Sequence, residues 1–145
     1  MRFNTAILAL AISLLASSAQ GHVRVLPFNS KSGAHQTYTV KVPTEGTVAT
    51  TSVELEVPSG ISIISIADQA ETKKIDGRVT VITWTVEIPP GQSKDFVFEA
   101  INPTGEQEVS WKAHQHFADG TSRDWIDFPK TKSPASVTKI SLDPN

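Results

Sequence analysis

The sequence predicts an all-β protein, an antiparallel β-sandwich of immunoglobulin-like or cupredoxin-like form. Three observations lead there. Apolar and polar residues alternate with a period of two in one segment after another, rich in β-branched and aromatic side chains. Turn-forming clusters of Pro, Gly, Asn and Asp separate these segments at short spacing. No window of twelve residues carries the 3.6-residue period of an amphipathic helix.

Taken in order, the clearest strands are residues 37–42 (TYTVKV), 52–57 (SVELEV), 79–86 (VTVITWTV), 94–100 (KDFVFEA) and 109–117 (VSWKAHQHF). Between them lie Pro43, Pro58-Ser59-Gly60, Asp76-Gly77, Pro89-Pro90-Gly91, Asn102-Pro103-Thr104-Gly105 and Asp119-Gly120. Segments at this spacing predict seven to nine short strands. Trp84, Phe96, Phe98 and Trp111 occupy the apolar parity and are the expected core. From Lys130 onward Pro, Ser and Lys predict a loosely held C-terminal tail, residues 130–145, with a last strand at residues 136–142.

The first residues set the expected compartment. Arg2 precedes an apolar run, residues 6–16, and small residues stand at Ala19 and Gly21. This is the pattern of a secretory leader, residues 1–21, cut after Gly21. An eleven-residue run, apolar but for Ser13, is too short to span a bilayer, and no later stretch is longer. The expected mature chain is periplasmic or secreted, with its β-sandwich domain at residues 22–129 and no membrane span after cleavage.

Removing 21 of 145 residues leaves 124, enough for one domain with its own core. Twelve basic side chains then face fifteen acidic ones, a net charge of −3. Without a basic cluster, nucleic acid and anionic membrane are excluded as partners. The chain has no cysteine, and its single methionine is Met1. The mature protein would therefore contain no sulfur ligand.

Catalytic motifs are absent: there is no GxSxG, Walker loop, HExxH or cysteine nucleophile, and the expectation is a protein that is not an enzyme. The distinctive residue is His22, because cleavage would free its α-amine. Amine and imidazole Nδ1 together close a chelate ring on a metal, and Cu²⁺ binds such nitrogen sites most strongly among divalent first-row ions. A second grouping is His114 and His116, which as alternating strand positions share a sheet face. An H-x-H pair can hold a metal, although two exposed polar residues are the more ordinary outcome. His35 is expected at the surface.

His22-Val23-Arg24-Val25-Leu26-Pro27, Gly33 and Tyr38-Thr39-Val40-Lys41-Val42-Pro43-Thr44-Glu45 begin a pattern that runs nearly the whole mature chain. It continues through residues 50–60 (TTSVELEVPSG), Thr83-Trp84, Pro90-Gly91-Gln92, Phe96-Val97-Phe98, Asn102-Pro103 and Trp111. It closes with Gln115-His116-Phe117-Ala118-Asp119-Gly120 and Trp125. In this the chain resembles the YcnI-like family of exported copper-binding domains. The resemblance implies a monohistidine brace for Cu²⁺: the amine and imidazole of His22, a carboxylate oxygen from Glu45, and Trp125 as a cover. His114 and His116 depart from the family pattern.

Three functions compete at this point. The first is storage, buffering or delivery of Cu²⁺ outside the cytoplasm, with another copper-handling protein as partner. The second is a histidine-brace copper oxygenase, for which only His114 or His116 offers the second histidine. The third is an immunoglobulin-like structural or adhesion module without metal. Composition favours Cu²⁺ over Cu⁺ wherever copper binds, since Cu⁺ prefers sulfur ligands that the mature chain lacks.

Overall fold

The computed structural model describes residues 21–143, so residues 1–20 of the expected leader lie outside the described residues. Twelve strands and no helix occur among the described residues. They are β1 (Arg24–Leu26), β2 (Asn29–Lys31), β3 (His35–Pro43), β4 (Thr50–Glu56), β5 (Ser62–Ile66) and β6 (Glu71–Ile75), then β7 (Arg78–Ile88), β8 (Ser93–Ile101), β9 (Gln107–Trp111), β10 (Ala113–Phe117), β11 (Ser122–Trp125) and β12 (Ser136–Ser141).

Three sheets form, in the orders β1-β3-β8-β5, β11-β10-β4-β7-β6 and β2-β12-β9. All pairings are antiparallel except β2 with β12. The alternation of the sequence explains which side chains go inward. On β3 it buries Tyr38, Val40 and Val42; on β4, Val53 and Leu55; on β7, Ile82 and Trp84; on β8, Phe96, Phe98 and Ala100. The four aromatic residues expected in the core are all buried. Trp84 of the five-stranded sheet stacks on Phe96 of the four-stranded one, ring centroids 4.9 Å apart. Trp111 of the third sheet meets Tyr38 at 5.0 Å and Phe98 at 5.5 Å. Aromatic contacts thus join all three sheets around one core.

Residues 109–117, continuous in the alternation, are two strands. The chain changes sheets at Lys112, whose carbonyl accepts from Glu56 N at 2.9 Å, and β9 and β10 pair with different partners. The inward parity survives the corner, so Val109, Trp111, Ala113 and Gln115 are all buried. The hairpin from β6 to β7 turns on Asp76 and Gly77, with φ of 50° and 77°, the left-handed pair that a two-residue turn requires.

The C-terminal segment is bound more firmly than its composition predicts. Ser136–Ser141 is the central strand of the third sheet, and Thr138 and Ile140 are buried. Ser136 Oγ accepts from Val25 N at 2.9 Å, which ties this strand to the first one.

Candidate functional site

The site is assembled at one end of the sandwich from three segments distant in sequence: the residues before β1, the loop after β3 and the end of β11. Strand β1 pairs with β3 in the register Arg24↔Lys41. Continued by two residues, that register sets His22 opposite Pro43, next to the loop that carries Glu45. The main-chain N–H of Gly21 donates to Oε1 of Glu45. A Cβ at Gly21 would lie 2.7 Å from Pro43 Cγ and 3.2 Å from that carboxylate oxygen. Only a glycine allows so close an approach.

Trp125 packs against His22. The two ring centroids are 5.3 Å apart, with the planes inclined by 48°. The indole is 3% exposed. In the β10–β11 ladder it lies opposite the small, buried Ala113, which leaves room for it on the inner face. Arg123, two residues earlier on the same face, places its guanidinium carbon 4.5 Å from the Trp125 ring centroid, a cation–π contact.

The three residues named from the sequence therefore share one end of the fold. His22 meets Trp125 through the rings, and Glu45 meets the main chain one residue before His22. His22 is half-buried and Glu45 is exposed at the rim. Among the described residues no group of three or more His, Cys, Asp or Glu side chains is arranged to hold a metal. Side chains here offer one imidazole and one carboxylate, so a chelate ring at His22 would need a donor from the main chain as well. A free amine at residue 22, in a chain cut after Gly21, would be such a donor.

Gln115 is the functional-site residue that the sequence reading missed. It is buried at 1% exposure between Trp125 and the end of β3. Its Oε1 accepts from Trp125 Nε1 at 3.2 Å, and its Nε2 donates to Pro43 O at 2.9 Å and Thr50 Oγ1 at 2.7 Å. The available signal was a lone amide at an inward position of a strand whose other inward residues are apolar.

His114 and His116 point away from this end, to the outer face of the five-stranded sheet. Both ring nitrogens of His114 are occupied: Nδ1 lies 2.7 Å from Asp124 Oδ1 and Nε2 2.8 Å from Glu56 Oε2. Partial burial pushes the imidazole pKa down, but hydrogen bonds and charge from Asp124 and Glu56 outweigh it and hold it above the ordinary histidine value. His116 Nε2 is 3.9 Å from Glu54 Oε2. His35 is at the surface, 3.4 Å from Glu99.

A family model described as a domain of unknown function, DUF1775, matches residues 22–140. The copper-binding protein CutI of Bacillus subtilis (strain 168) is 33% identical over 138 residues, which cover 90% of this chain and 68% of CutI. A crystal structure of an uncharacterized protein from Nocardia farcinica, described as an immunoglobulin-like fold, superposes with a TM-score of 0.69 at 24% identity. That match covers 83% of this chain and 98% of the other, and it agrees with the sandwich predicted from the sequence. No helix among the described residues is long and apolar enough to cross a membrane.

Proposed function

We propose that this chain, which belongs to the DUF1775 or YcnI-like family, binds Cu²⁺ outside the cytoplasm and stores, buffers or delivers it. The observation that carries the reading is the meeting of His22 with Trp125 while the Glu45 carboxylate reaches the main chain beside His22. The relative CutI, named as copper-binding, supports the metal. The family match begins at His22 itself, which supports a mature chain that starts there.

In that mature chain the His22 amine and imidazole would hold the ion as a chelate, and Glu45 would add an anionic oxygen. Nitrogen and oxygen donors without sulfur favour Cu²⁺. Trp125 would limit access of water and outside reductants, as an apolar shell does around other metal sites. Both nitrogens bind only when deprotonated, so acid opposes loading.

A carrier fits this geometry better than an oxygenase. A two-histidine copper site needs a second imidazole, and His114 and His116 stand on the outer face, with both nitrogens of His114 held by carboxylates. The nearly buried indole also packs against the His22 ring, which narrows access to it.

The test is a Cu²⁺ titration of the chain starting at His22, followed by electron paramagnetic resonance. One equivalent should bind. Adding a single residue before His22 should abolish it by turning the amine into an amide. Undiminished binding by the extended chain would overturn the assignment, and a chain that binds no copper in either form would be an immunoglobulin-like module of another kind.

A further inference from the structure

We infer that Gln115 is the positioning residue of the candidate copper site, setting the distance between its indole cover and its carboxylate arm. The inference rests on the copper reading and extends it to a side chain that no donor chemistry would single out.

The hydrogen-bond partners fix the orientation of the amide. The indole N–H of Trp125 is only a donor and the Pro43 carbonyl only an acceptor, so Oε1 must face the former and Nε2 the latter. Both Nε2 hydrogens have partners, Pro43 O and Thr50 Oγ1. The Thr50 hydroxyl lies 2.7 Å from Thr44 Oγ1. Thr44 is held further by its own main chain, whose N–H donates to Gln92 O at 2.8 Å and whose carbonyl accepts from Gly91 N at 2.7 Å. One buried amide thus spans from the cover to the two residues that precede Glu45, and a second layer of bonds anchors that arm.

A glutamine in this place has a cost that an apolar residue would avoid, since a buried amide is unfavourable unless all its bonds are made. An apolar residue, however, would leave the Trp125 N–H and the Pro43 carbonyl unpaired at the site. It would also let β11 and the end of β3 move independently. Groups that hold the surroundings of a metal's ligands in place typically change metal affinity by about 10–100-fold when removed.

The experiment compares Gln115→Leu and Gln115→Glu with the unaltered chain, all starting at His22, by Cu²⁺ affinity and by the copper resonance spectrum. Gln115→Glu keeps the shape but turns the two donors into acceptors facing the Pro43 carbonyl. Affinity should fall by about 10–100-fold in both variants, with a changed hyperfine pattern. Trp125→Phe removes the indole N–H together with part of the cover; it should lower affinity more in the parent than in Gln115→Leu, where the bond to the N–H is already gone. Should Gln115→Leu fail to fold, Gln115→Glu and Thr50→Val carry the same prediction. Unchanged affinity and spectrum in folded Gln115 variants, with His22→Ala still losing copper, would reduce Gln115 to a purely structural residue and leave the copper reading intact. Undiminished copper binding in His22→Ala would overturn the copper reading, and the role of Gln115 with it.

Discussion

On β10 the inward Gln115 and the outward His114 are neighbours in sequence, yet their surroundings could hardly differ more. His114 has the side chain usually associated with metals, and two carboxylates lie within 2.8 Å of its ring nitrogens. Those carboxylates satisfy the imidazole, and the group closes on itself as a cross-strand ion cluster between β4, β10 and β11. Gln115 is a poor metal ligand, but its three bonds run to the cover, to the arm and to Thr50, which meets the arm through Thr44. Residue type and spacing nominate a metal site; what decides is whether the donor atoms are left with somewhere to point.

The largest expected effect breaks the comparison if it fails. His22→Ala should abolish stoichiometric Cu²⁺ binding, whereas His114→Ala with His116→Ala should leave stoichiometry unchanged; calorimetric titration of both distinguishes the two faces. Trp125→Ala should cost about 3–5 kcal/mol of stability, as for other buried aromatics, and be measurable by urea unfolding of the metal-free protein. Acid should then separate the faces in sign. Copper bound at His22 should be released as the solution is made acid, because protons compete for both nitrogens.

The outer cluster should behave in the opposite way. The His114 pKa is raised in the fold, so its contribution is fully present below the unfolded value of about 6.5 and is lost as pH rises through the folded value. Its partners are half-exposed, which limits the effect to at most about 1 kcal/mol. The stability difference between the metal-free chain and His114→Gln should therefore be larger at pH 5 than at pH 8. A difference that grew with pH would show that His114 is held neutral.

Much of this was legible in the sequence. Alternation alone placed Trp84, Phe96, Phe98 and Trp111 in the core, because parity sets the face whatever sheet a strand joins. The same property hid the corner at Lys112: a strand that changes sheets without changing parity reads as one strand. β6 was missed since all five of its residues are exposed and give no contrast. The leader pattern singled out His22, and family likeness added Glu45 and Trp125. Gln115 escaped because its role depends on partners 65 and 72 residues away, which no local pattern reports.

The placement of β12 has a consequence for how the molecule comes together. Val25 at the start of the fold and Ser136 near its end are 111 residues apart and hydrogen-bonded, and among the described residues β2 pairs only with β12. Contacts of such long range form late and slowly. Strand β2 thus cannot pair until residues 136–141 are available. While the chain is still short, the segment bearing His22 can pair through β1 with β3 but lacks its tie to Ser136; the last strand to arrive closes the first.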